Sequence, residues 1–131
     1  MKLKTILCAL LLICFLSPQA LAAPITLLSA ATATGAGTPV QPLKAFTAWS
    51  CDATLTGTPT AVTVRIEGNQ GGATFDPTGM ATQTCTAGQL AAGICSFSFI
   101  GMPVSQIRAN LTVLSGGTAP TVTVNCTGAI P

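Results

Sequence analysis

An all-β fold, an antiparallel β-sandwich of Ig-like or jelly-roll type stapled by disulfides, is what the sequence predicts, on three observations. Short segments alternate apolar residues with Thr, Ser or charged ones at the period of a half-buried strand, and Thr and Val supply branched side chains that suit a pleated sheet. Turns containing Gly and Pro separate these segments, and helix signals are nearly absent. Four cysteines, Cys51, Cys85, Cys95 and Cys126, lie beyond an apolar leader, an even number that reads as two bridges.

Residues 1–22, MKLKTILCALLLICFLSPQALA, carry two lysines, an apolar run, a Ser-Pro break and the small-x-small pattern Ala20-Leu21-Ala22. That is the layout of a bacterial-type secretory signal peptide, so the expected location is secreted, periplasmic or cell-surface. The apolar run is too short for a membrane span, and no later stretch reaches that length. Residues 23–43 open with a short apolar run and then turn rich in Ala, Thr and Gly, which reads as an edge strand followed by a flexible connector. Residues 44–131 are expected to form the sandwich core, and the chain beyond the leader is one domain in length.

Within that core, KAFTAWSCDATL places Trp49, Cys51, Ala53 and Leu55 in one phase. A turn at 56–59 then leads to AVTVRIEG, where Val62, Val64 and Ile66 face opposite to Thr63, Arg65 and Glu67. The Gly-rich stretch 69–79, NQGGATFDPTG, resists regular pairing and is the longest candidate for a functional loop. After Cys85, residues 86–93 suit one helical turn, and CSFSFIG puts Cys95, Phe97 and Phe99 on one face. In VSQIRANLTVLS, Ile107, Ala109, Leu111 and Val113 alternate with Arg108, Asn110 and Thr112. Gly116-Gly117 then leads into TAPTVTVNC, a hairpin signature. GTPTAVTVR and GTAPTVTVN form a faint repeat of two similar arms.

Three disulfide pairings are possible. The favoured one joins Cys85 to Cys95, which bracket a short loop, and Cys51 to Cys126, whose strand phases both point inward. A zinc site built from the four is the rival, but it wants closely spaced cysteine pairs, and the sequence has none.

Composition excludes several functions. Charged residues make up only 6% of the chain, against roughly a quarter in an ordinary soluble domain. Beyond the leader, Lys44, Arg65 and Arg108 balance Asp52, Glu67 and Asp76, too little positive charge for a nucleic-acid partner. There is no His to act as the base of a nucleophilic triad, and nothing in the spacing of the three acids sets two of them across a cleft. Catalysis, cofactors and metal ligation are therefore not expected. Arg65, Glu67 and Arg108 sit on outward phases where cross-strand ion pairing is the simplest reading. Trp49, the sole tryptophan, fits a core plug packed by a disulfide better than a sugar platform. A ligand reading draws on Asn69, Gln70, Phe75, Asp76 and Trp49.

The order LLSAATATGAG, TVRIEGNQGG, IRANLTVLSGGTAPTVTV, spanning residues 27–127, resembles a family of small β-sandwich proteins of bacteriophages and prophages, structural or tail-associated. In that family the glycine matching Gly68 is followed by Ser-x-Asp-Gly and then a Trp. Here Asn69, Gln70, Gly71, Gly72 and Phe75 stand instead, without the Asp. The leader and the cysteines also depart from a virion protein assembled in the cytoplasm. The resemblance implies a fold and an assembly or surface-binding role rather than a reaction. The expected function is a non-catalytic exported structural or adhesive surface module, a homo-oligomer or part of an envelope or phage-derived particle. Its alternative is a small-ligand or glycan-binding module using the 69–79 loop.

Overall fold

The computed structural model describes residues 23–42, 44–76 and 78–129, and the signal-peptide expectation lies outside them. Among the described residues, eight strands and one short helix occur in the order β1 Ile25–Ala31, β2 Gly35–Ala36, β3 Ala48–Thr56, β4 Ala61–Asn69, β5 Ala81–Thr84, α1 Ala87–Ala92, β6 Ile94–Ile100, β7 Gln106–Ser115 and β8 Thr121–Ala129. They form two four-stranded antiparallel sheets, β1-β8-β3-β6 and β2-β7-β4-β5.

The pairing is nested. β1 pairs β8, β2 pairs β7, β3 pairs β6 and β4 pairs β5, so the chain runs as one long folded-back ribbon. Two further pairings, β3 with β8 and β4 with β7, join that ribbon into two sheets. This connectivity is a jelly roll, which decides between the two sandwich types the sequence left open.

Strand alternation makes the core. Trp49, Cys51, Ala53 and Leu55 on β3 and Val122, Val124 and Cys126 on β8 are buried from one sheet. Val62, Val64, Ile66, Ile107, Ala109 and Leu111 meet them from the other. The outward phases of β3 and β8 carry short polar side chains in register, with Thr56 and Thr121 hydroxyls 2.7 Å apart.

The bridges do different jobs. Cys51 and Cys126 are register partners on neighbouring strands, and their disulfide lies inside one sheet on its core face. Cys85 follows β5 at the edge of one sheet and Cys95 lies on β6 at the edge of the other, so their disulfide ties the two sheets together beside α1. Thr86 caps α1: its hydroxyl accepts from the Gln89 amide while the Gln89 side chain accepts from the Thr86 amide, and Gly93 ends the helix in the left-handed region.

Three local readings of the sequence need correction. Gly116-Gly117 does not make a hairpin, because β7 and β8 belong to different sheets and the turn is a corner between them. The repeated GTPT and GTAP segments are likewise two corners rather than two arms: the Thr118 amide donates to the Gly57 carbonyl at 2.8 Å and locks them together. Val113 does not continue the buried phase of Ile107, Ala109 and Leu111. Val64 pairs with Leu111 but Thr63 with Val113, so a bulge at Thr112 reverses the phase and leaves Val113 40% exposed. The stretch read as a flexible connector supplies β2 and a bridge from Val40 to Ile107, running along β7.

Candidate functional site

The register places the loops at two ends. Turns 57–60 and 116–120 close one end, beyond the Thr56–Thr121 and Ala61–Ser115 pairs. Segments 70–76, 78–80 and 101–105 lie at the other, beyond the Ala48–Ile100 and Asn69–Gln106 pairs. Between these segments is an open hollow of about 550 Å³, a size within the usual range for small-ligand sites.

Its walls come from three places. Gly68 lies in the inward phase of β4, where a Cβ would collide with Met80 and Val104; its bareness lets those side chains close the floor. Asn69, Gln70, Thr74, Phe75, Asp76 and Gly79 form one side, and Gly101 and Met102 the other. The loop is held by its own polar groups. Buried Asn69 accepts from the Gly71 amide and donates to the Gly72 carbonyl and to Gln106 Oε1, each at 3.0 Å. Gln70 donates to the Pro103 carbonyl at 2.6 Å, joining the two lips. Asp76 accepts from the amide and the hydroxyl of Thr78, which hold its carboxyl below the ordinary value.

Behind the loop, on the outer face of the second sheet, Glu67 is 1% exposed although its strand phase points outward. Arg65 approaches Oε1 with Nε at 2.9 Å and Nη2 at 2.7 Å. Arg108 approaches Oε2 at 2.8 and 2.7 Å, and Asn110 donates to Oε1 at 2.8 Å. Phe75 stacks its ring 4.0 Å from the Arg108 guanidinium carbon. Burial pushes the Glu67 carboxyl up, but hydrogen bonds from Asn110, Arg108 and Arg65 and the charge of Arg108 outweigh it and hold the group below its ordinary value. The simple surface pairing expected for Arg65, Glu67 and Arg108 is therefore a buried carboxylate between two arginines whose side chains are 26% exposed.

Four of the five residues in the ligand reading, Asn69, Gln70, Phe75 and Asp76, come together at the hollow. Trp49 does not. Its inward phase on β3 sends it into the core, 2% exposed, with Phe46 edge-on at 5.2 Å and Phe99 stacked at 6.5 Å. Met80, Gly101, Met102 and Val104 line the hollow without having been singled out. Gly101-Met102-Pro103, directly after an aromatic strand, was the available signal. The four cysteines are bonded to each other, and among the described residues no cluster of His, Cys, Asp or Glu is arranged to hold a metal ion. Nor is any described helix long and apolar enough to cross a membrane.

Neither the protein-family models nor the curated proteins give a match to this sequence. Among solved structures, the crystal structure of SPBc2 prophage-derived protein YomS is similar, with a TM-score of 0.50 at 12% identity. The match covers 81% of this chain and 90% of that one. At that identity it is a likeness of fold alone.

Proposed function

We propose that this protein is a non-catalytic, exported structural or adhesive surface module, working in an envelope or phage-derived assembly. The observation that carries this reading is how the acids are used. Glu67 has both oxygens saturated by Arg65, Arg108 and Asn110, Asp76 holds a turn through Thr78, and Asp52 stands on the outer face of β3 among Thr, Ser and Asn. Likeness of fold to a prophage-derived protein supports the assembly role, and two disulfides suit a place outside the cytoplasm. Near-zero net charge beyond the leader and a hydroxyl-rich exterior remove the repulsion that keeps like chains apart.

The test is fractionation of cells expressing the full chain, followed by cross-linking and mass spectrometry. Recovery in an envelope-bound or particle-bound pool is expected. A product found solely as a free protein, with no cross-linked neighbour, contradicts the reading.

A second reading, a small-ligand or glycan module, is favoured by the hollow and its mixed lining of Phe75, Met80, Asn69 and Gln70. Glycan-array binding that is lost in Phe75→Ala would support it. An array without a saturable signal would remove it.

A further inference from the structure

Each sheet has two edges, and three of the four are blunted. β1 is broken by register shifts on both sides of Leu28, β2 has two residues and β5 has four. β6 is the exception. Its seven residues stay in unbroken register with β3, and ICSFSFI contains neither charge nor proline. Three of the four large apolar side chains exposed among the described residues lie on β6 or just past it: Ile94 at 42%, Ile100 at 88% and Met102 at 73%.

The hydrogen-bond phase shows which groups are free. Leu55 donates to the Gly93 carbonyl and Gly101 to the Thr47 carbonyl, and the register carries that phase along the strand. Cys95, Phe97 and Phe99 therefore turn their backbone groups to β3, while Ile94, Ser96, Ser98 and Ile100 turn theirs outward. Among the described residues, one of these outward groups has a partner: the Ser96 carbonyl accepts from Gln89 Nε2 at 3.3 Å.

The strand is close to palindromic about Phe97, with Ile94 matching Ile100 and Ser96 matching Ser98. An antiparallel copy laid along it would set Ile against Ile and Ser against Ser on the outer face, and every outward amide would meet an outward carbonyl. Such self-complementarity is what a two-fold interface requires, since each contact must appear twice. We propose that β6 pairs antiparallel with β6 of a second copy about Phe97, with Gln89 giving up the Ser96 carbonyl, so that two four-stranded sheets become one of eight. This inference refines the assembly role proposed above by naming one of its contacts.

Sedimentation velocity over a wide concentration range, on oxidised protein purified from expression of the full chain, tests it. Wild-type protein should show a monomer–dimer equilibrium. Ile100→Lys, at a position open to solvent, should weaken association by about tenfold or more. Ser98→Pro removes an amide that faces away from β3 and should abolish association. Both variants should keep the wild-type circular dichroism, and Ile100→Lys also guards against misfolding of the proline variant. In concentrated wild-type protein, the amides of Ile94, Ser96, Ser98 and Ile100 should exchange more slowly than in dilute protein. A monomer at every concentration overturns edge pairing even if fractionation finds the chain in a particle. A dimer that both variants leave intact overturns it too.

Discussion

The two ends of the sandwich are built on opposite plans. At the closed end, two tight corners grip each other: Gly57, Gly116 and Gly117 take positive φ, and the Thr118 amide reaches the Gly57 carbonyl. The Cys85–Cys95 bridge lies in the same half, crossing from sheet to sheet beside α1. At the open end, longer segments, anchored by backbone bonds such as Met80 to Ile66 and Ser105 to Asn69 and by side-chain bonds such as Gln70 to Pro103, surround a hollow, and Ile100 and Met102 stand out into solvent. The locking of turn to turn and the exposed surface are thus separated along the strand direction.

Breaking the cross-links should have the largest effect. On the chain-entropy view, the Cys51–Cys126 bridge, closing a separation of 75 residues, contributes roughly 4–5 kcal/mol. The Cys85–Cys95 bridge, closing 10, contributes about 3 kcal/mol. Replacing either pair with alanine should lower the calorimetric melting temperature, more so for Cys51 and Cys126. An unchanged melt in excess reductant would show that the bridges do not hold the fold.

Next comes the carboxylate behind the loop. Glu67→Gln leaves two guanidiniums facing a neutral amide and should cost roughly 2–4 kcal/mol near neutral pH by denaturant titration. Glu67 has a lower pKa folded than unfolded, so its contribution is present above its ordinary value of 4.5 and is lost as pH falls through the folded value. Acid titration of wild-type protein should therefore show a loss of stability that the Gln variant lacks in part.

Two smaller changes sharpen the contrast between the ends. Gly117→Ala should cost about 2 kcal/mol, because its φ is +79° and a Cβ there runs into the Gly57 and Thr58 carbonyls. Phe75→Ala, at the open end, should cost about 1 kcal/mol, the value of one partly exposed contact with Arg108. Equal losses from the two would contradict the division of labour.

The strands were legible in the sequence because each reads locally: Val62, Val64 and Ile66, or Val122, Val124 and Cys126, keep one phase without help from the rest of the chain. The Cys51–Cys126 bridge followed from the same phase logic, and the Cys85–Cys95 bridge from the short loop between its two cysteines. Connectivity was not legible, since nested pairing joins residues as distant as Ile25 and Cys126. The one strong local cue, Gly116-Gly117, fits a corner as well as a hairpin. The Glu67 site was hidden for a related reason. Its phase is outward, and what surrounds its carboxylate is Arg65, Arg108 and Asn110 from the same sheet, with Phe75 of the neighbouring loop stacked on Arg108. The helix had a readable cap in Thr86 and Gln89, with Gly93 as its stop.

Amide hydrogen exchange on the oxidised protein tests the central claim most directly, because it reads local opening residue by residue. Slow exchange is expected at Val64, Ala109 and Val124 in the core and at Thr118 in the locked corners, with fast exchange at Gln70, Thr74 and Met102. Protection at those three amides equal to that of the core, or rapid exchange at Thr118, would contradict a molecule held at one end and left open at the other.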